Sequence, residues 1–363
     1  MNKRILSIDV LRGFDMMFIM GIAAIITATC ALFPGGESCW LAEQMDHVPW
    51  NGLHHQDTIF PLFLFISGMT FPFSCAKRLS AGASRHDLFL NTLRRGLILF
   101  ALGLVYNGFF RLEFSTLRIP SVLGRIGLAW MFAGWIFLYV GRKWRWLIAA
   151  AILVGYNLLL LIPAPDMPSC DSFSREGNIV GYIDRQLIPG HFYKHDPFFD
   201  PEGLLSTLPA IVTAMLGQFT GEFIGSSKSR NKTGILFGAA ALLLILGLLW
   251  SLWMPVNKAL WTSPFVLLVG AYSVACFAIF YWMIDVRGWT RWTSFFTVIG
   301  KNSITIYLAQ AIIPFAAVSE YFCGGLAARI PAHWAEWLLA VGYFTVSWLF
   351  LLFLHRHKVY LKV

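Results

Sequence analysis

Charge is scarce in this sequence. Of its 363 residues only 13% are Asp, Glu, Lys or Arg, against 57% hydrophobic, whereas a soluble domain is about a quarter charged and about half apolar. With a mean hydropathy of +0.65, an ordinary water-soluble domain is excluded. Cysteine is also sparse: there are six, with no C-x-x-C pair and no metal-ligand spacing, so nothing points to a metal centre. No nucleic-acid motif is present, and the net charge of +9 has another explanation below. A cleavable leader is not expected either. The opening "MNKRILSIDVLRGFDMMFIMG" sets basic residues before an apolar stretch, but it lacks a small-residue cleavage site and carries Arg12 and Asp15 inside the stretch. It reads as a retained first helix. Nor is there a convincing internal repeat, which disfavours the inverted-repeat transporter plan.

What is present is a succession of apolar runs. A span needs about 20 residues, and ten stretches qualify: 10–33, 57–76, 93–110, 119–140, 145–163, 204–224, 233–255, 261–285, 294–318 and 332–354. The expectation is an all-α polytopic membrane protein of about ten transmembrane helices, a single transmembrane domain over 1–363 with the lipid bilayer as its surroundings. Lys3, Arg4, Lys77, Arg78, Arg85, Arg142, Lys143, Arg145, Lys228, Arg230, Lys232, Arg287, Arg291, Arg356, Lys358 and Lys362 all fall on one side of that topology. By the positive-inside rule this side is the cytoplasm, which places both termini there and accounts for the basic net charge.

Two connections are long, 34–56 and 164–203, and both are expected outside the cytoplasm. The second has seven acids against three bases and is rich in Pro, Asp and aromatics ("PAPDMPSCDSF", "YKHDPFFDPEG"), so it is expected in short ordered pieces rather than as a hydrophobic domain. Cys39, Cys170 and Cys323 fall in outer loops where a disulfide is permitted; the other three cysteines sit in spans as packing residues.

Ionisable residues within spans are costly, so each needs a partner, a cavity or a site. Arg12 and Asp15 lie one helical turn apart, and either pair with each other or serve a ligand. Arg125, inside the fourth span in "RIPSVLGRIGLAW", calls for an anion, either a ligand phosphate or carboxylate or a structural carboxylate such as Asp15 or Asp57. Lys301, with Asn302 and Ser303 in "GKNSITIYLAQ", gathers donors behind Gly300; it suits a phosphate, although Asn and Ser also join helices in membranes. The densest polar cluster is "DHVPWNGLHHQD", residues 46–57, at the lip of the second span. His47, His54 and His55 can be interfacial and solvated, Trp50 an interface anchor and Asp57 a helix cap. Their coincidence in one Pro-containing loop, ahead of a helix with Pro61, Gly68 and Pro72, argues for a site. On these grounds a transporter and a membrane-embedded transferase both fit.

Along nearly its whole length the chain resembles the heparan-α-glucosaminide N-acetyltransferase family of transmembrane acetyltransferases. The segments that carry the resemblance are "SIDVLRG", "HVPWNGLHHQDTIFPLFLFISG", "RIPSVLGRIG", "DPEGLLSTLPAIVTAMLGQFTGEFI", "LWTSPFV" and "GKNSITIYLAQ", in the family's order. The layout is that of bacterial-type members without the lumenal domain. The resemblance implies an enzyme that moves an acetyl group from cytoplasmic acetyl-CoA to the amine of an amino sugar across the membrane. It implies a homodimer and residence in a bacterial inner membrane. The family's active-site histidine stands three positions before Trp-Asn-Gly, which falls on His47.

In that frame His47 accepts the amine proton, Asp57 orients the imidazole and Asn51 donates to the thioester oxygen. Trp50, His54, Asp200 and Glu202 face the sugar, unless the Asp-Pro-Glu of "FFDPEG" simply caps its helix. Arg12, Arg125, Lys301, Asn302 and Ser303 bind the phosphates and nucleotide of CoA. One departure stands out. The family's first-span Asn is replaced by Ala23 when aligned from "LRG", so either another donor substitutes or the acceptor differs, and an envelope amino sugar fits better than heparan. Direct transfer and an acetyl-histidine intermediate both remain open. The rival reading is a permease for a sugar or organic anion, for which paired broken helices would be the expected mark.

Overall fold

The computed structural model describes residues 5–226 and 229–361; Lys3, Arg4, Lys228 and Lys362 of the charge pattern lie outside the described residues. Eight of the described helices are long and apolar enough to cross a membrane, or nine if one bent pair is a single span. They are α1 (Leu6–Ala31), α3 (His55–Ser80), α4 (Arg85–Tyr106), α5 (Val122–Tyr139), α6 (Arg142–Leu160), α9 (Lys232–Trp250), α10 (Ser263–Val286) and α14 (Ala332–Arg356). Between them run the shorter α2 (Trp40–Gln44) and α7 (Ile179–Leu187), the buried α8 (Thr207–Ser226), and α11 (Thr293–Lys301), α12 (Ser303–Ile312) and α13 (Phe315–Ala327).

Two expected spans depart from the apolar pattern. Run 204–224 forms α8, which is 20 residues long yet does not meet the apolarity of a span. It is buried along most of its length, Thr213 and Gln218 included, so protein rather than lipid surrounds it. Run 294–318 is no continuous helix. It breaks at Asn302, whose φ of −120° and ψ of 22° leave the helix, and again before Pro314, with α12 and α13 bent 73° apart. Proline cannot donate to the helix ladder and disfavours helical geometry in the residue before it. This break also moves Cys323 from an expected loop into α13.

The described residues divide into two compact units, the first within 5–49, 54–59 and 276–361, the second within 50–53 and 60–275. The core of the first gathers Met16, Met20, Val298, Ile299, Ile306, Phe315 and Leu351. Here α1 and α11 approach through glycine: a Cβ on Gly13 would collide with the Phe296 carbonyl oxygen, and one on Gly300 with that of Asp9. Backbones in lipid meet closely where side chains are small. In α1 the helix passes through a π-type turn at Phe18–Ile22, with Gly21 at φ +122°, a conformation that suits only glycine. The Ile19 carbonyl at this kink accepts from Gln310 Nε2 of α12 at 3.3 Å; freed backbone groups inside a membrane need such a partner.

In the second unit α3 packs on α8 by the same device, with Gly68 against Ala214, Gly217 against Phe65 and Gly221 against Met69. The long segment 164–203 folds back on the helices, Ile179, Val180 and Phe199 joining Tyr156, Leu160, Met254 and Leu260 in one apolar cluster.

Candidate functional site

The loop before α3 closes on a single carboxylate. Asp57, in the first turn of α3 and 1% exposed, accepts from the backbone N–H of His54 at 3.1 Å and of Val48 at 3.3 Å, and lies 2.7 Å from His47 Nδ1. An ionised carboxylate only accepts, so the imidazole donates from Nδ1 and keeps the Nε2 lone pair for another proton. The His47 side chain is 55% exposed. Further bonds hold the loop: His54 Nδ1 lies 3.1 Å from the Asp46 carbonyl oxygen, and the His55 N–H donates to Gln44 Oε1 of α2 at 2.9 Å. The arrangement sets an imidazole against a buried carboxylate on a braced loop, the geometry that a base and its orienting acid would need.

The first unit also holds Arg12, His54, Lys301, Asn302 and Ser303. Gly13 and Gly300 bring the α1 turn bearing Arg12 against the end of α11 bearing Lys301. Asn302 and Ser303 are buried, and Asn302 Oδ1 has no hydrogen-bond partner. The Arg12–Asp15 pairing does not form through hydrogen bonds: Asp15 is fully buried, and neither of its carboxylate oxygens has a partner. Two groups one turn apart on a helix can still diverge when one faces the neighbouring helix.

Trp50, Asn51, Arg125, Asp200 and Glu202 belong to the second unit. Trp50 Nε1 donates to the Phe173 carbonyl at 2.8 Å and its ring meets Phe199 edge-on. Asn51 Oδ1 accepts from Asn257 Nδ2 at 2.9 Å. Arg125 is 2% exposed and takes neither Asp15 nor Asp57 as partner. Its Nη2 donates to Ser206 Oγ and, at 3.3 Å, to the Gly203 carbonyl, and its guanidinium lies 5.0 Å from the Trp261 ring centre. Nε and Nη1 have no partner. Buried guanidinium N–H groups left unsatisfied are costly, so this arginine is suited to receive an anion.

Asp200 and Glu202 are engaged within the protein. Asp200 accepts from Arg118 Nε and Nη2, both at 2.7 Å, from the Tyr193 N–H at 2.9 Å and from the Glu202 N–H at 2.9 Å, while Glu202 accepts from Arg118 Nη2. Burial pulls the Arg118 pKa down, and its two carboxylate partners outweigh that and raise it above the usual value. The Asp-Pro-Glu motif thus clamps the 164–203 segment to Arg118.

Arg118 was not among the residues singled out from the sequence. No motif marked it, because its partner Asp200 lies 82 residues along the chain. Asp184 was also missed. Fully buried, it accepts from the Leu204 N–H at 2.9 Å and the Leu205 N–H at 3.5 Å, and burial pushes its pKa up to about 6.

No family model matches the chain. Two curated proteins do. Heparan-alpha-glucosaminide N-acetyltransferase of Homo sapiens is 27% identical over 365 residues, covering 85% of this chain and 53% of that protein. The Mus musculus protein of the same name is 27% identical over 337 residues, covering 77% of this chain and 50% of its own length. Similarity at 27% identity sustained along most of the chain supports homology to these proteins. The chain spans about half the length of the curated relatives it matches.

Proposed function

From this homology we propose that the protein is a membrane-embedded N-acetyltransferase that moves an acetyl group from acetyl-CoA to the amine of an amino sugar, in a bacterial inner membrane. The observation that carries the reading is the His47–Asp57 pair at 2.7 Å, at the position the family resemblance marks for the active histidine. Acetyl-CoA supplies an activated thioester. His47 Nε2 takes the proton of the attacking amine, Asp57 holds the ring in that tautomer and balances the imidazolium, and His47 then returns the proton to the departing sulfur. One base and one oriented thioester suffice for direct transfer, so an acetyl-histidine is not required.

The donor set suits a polyanionic carrier. Arg12, Lys301, Asn302 and Ser303 share the glycine-mediated junction of α1 and α11 in the first unit; in the second unit, taken by itself, Arg125 leaves Nε and Nη1 without a hydrogen-bond partner and is proposed as an anion contact of its own. Trp50, Asn51 and His54 are assigned to the acceptor and to the thioester oxygen. Asp200 and Glu202, held by Arg118, act by fixing the 164–203 segment. The homodimer rests on the resemblance alone and is checked by light scattering in detergent.

Acetyl-CoA binding tests the reading. A ligand that binds only the folded state stabilises it by about 2.7 kcal/mol at 100 times Kd, so millimolar acetyl-CoA should raise the melting temperature of the detergent-purified protein. A folded protein that shows no shift favours a second reading, a permease, for which the 73° break between α12 and α13 is the supporting feature.

A further inference from the structure

Two histidines of the second unit face each other, away from the polar loop before α3. His191 and His195 stand at the two ends of "HFYKH" in the 164–203 segment, the first partly exposed and the second exposed. Lys194 and His195 both take a left-handed φ, +53° and +57°, which is uncommon outside glycine. This turn folds the His195 ring back onto that of His191. Their Nδ1 atoms lie 3.3 Å apart, and their ring centres 5.0 Å apart with the planes at 76°. The sequence shows only the spacing; the turn decides that the rings meet.

We infer that His191 and His195 form a binding site for a divalent zinc-type ion. Zinc holds imidazole nitrogen at about 2.0–2.1 Å in tetrahedral geometry, so two such nitrogens stand about 3.3 Å apart and their ring centres about 5 Å. Both distances in the protein match. A linear hydrogen bond between the same nitrogens would set the ring centres about 5.6 Å apart. Each neutral imidazole brings one lone pair to the ion once its proton sits on Nε2, so binding expels no proton. Imidazole suits zinc, copper and nickel, whereas magnesium and calcium take oxygen. No third His, Cys, Asp or Glu completes the site among the described residues. The carboxylates that follow along the chain are engaged, Asp196 by Arg175 and Asp200 by Arg118. The remaining positions on the ion therefore fall to water, which makes the site reversible and not a closed structural cage.

The ion would act on the outer clamp. Between the two histidines Tyr193 donates its N–H to Asp200 at 2.9 Å, and the Arg118 guanidinium lies 4.8 Å from the Tyr193 ring centre. Joining the rings fixes this turn and with it the Arg118–Asp200 pair that holds the 164–203 segment.

The test is zinc titration of the purified full chain, without a polyhistidine tag and in detergent, followed by calorimetry and by melting temperature. The expected result is one saturable zinc site per chain at micromolar concentration, a higher melting temperature with zinc, and no effect of magnesium. X-ray absorption at the zinc edge should show two imidazole nitrogens at about 2.0 Å. His191→Ala and His195→Ala should each abolish the site, and His47→Ala should retain it. Lowering the pH should release the ion, because a protonated imidazole is no longer a ligand. The inference is overturned if the folded wild type binds no zinc saturably, or if the site survives in His191→Ala and His195→Ala. Zinc binding needs no turnover, so its outcome is independent of whether the protein transfers acetyl groups.

Discussion

Asp57 accepts three donors at the lip of α3, and one of them is the imidazole proposed as the base. Asp57→Asn replaces an ion-balancing acceptor with an amide and frees the ring to change tautomer. Turnover should fall by about two orders of magnitude or more, with little change in the acetyl-CoA-induced melting shift; wild-type turnover in this variant would remove the orienting role. The two clamp carboxylates make the opposite forecast. Removing one partner of a buried pair costs about 3–5 kcal/mol, so Asp200→Asn should show first as a lower melting temperature. A higher sugar KM at unchanged melting temperature would instead return Asp200 to the substrate. Asp184 adds a pH signature. The folded protein holds its proton up to about pH 6, the unfolded chain only to about 3.8, so the native state binds more protons between these values. Stability from this group therefore rises as pH falls through 6 and is complete below 3.8, on the order of 3 kcal/mol in all. The stability difference between wild type and Asp184→Asn should change in the wild type's favour between pH 7 and pH 5. A difference that stays constant with pH would contradict it. His47 and Asp57 were legible as an isolated polar cluster beside an apolar run. Arg118 and Asp184 were not, because their partners lie 82 and 20 residues along the chain and sequence spacing carries no record of such contacts.

At the scale of elements, glycine sets where α1 meets α11 and where α3 meets α8. Gly300→Ala places a methyl group against the Asp9 carbonyl, and overpacking of this kind costs about 1–3 kcal/mol. The variant should melt lower and, because Lys301 follows directly, show a smaller acetyl-CoA shift. Wild-type melting and an undiminished shift would mean that the junction tolerates separation and does not position the donors. Most helices could be read from hydropathy, which reports lipid-facing apolar length well. It failed where another rule governs. The buried α8 carries threonines and Gln218 because protein surrounds it, and run 294–318 breaks because Asn302 and Pro314 interrupt a stretch that is apolar only on average. The kink at Gly21 could not be read, since an isolated glycine in a span is compatible with a straight helix.

At the scale of the molecule, the apolar helices mark a multi-pass membrane protein, and the sidedness expected from the placement of Lys and Arg can be tested with a natural residue. Exposed Cys170 lies in the 164–203 segment, so a membrane-impermeant maleimide should label it in intact spheroplasts; labelling only after permeabilisation would invert the topology. The division into two units follows no boundary in composition, since the second unit is inserted between α1 and the C-terminal helices and apolar runs continue through both. The account turns on acetyl transfer by His47, and the most direct measurement is the transfer of labelled acetyl from acetyl-CoA to glucosamine by the purified wild type and by His47→Ala. The account predicts product from the wild type, a loss of about two to four orders of magnitude in the variant, and an acetyl-CoA melting shift retained in both. Equal turnover in the two proteins would contradict it.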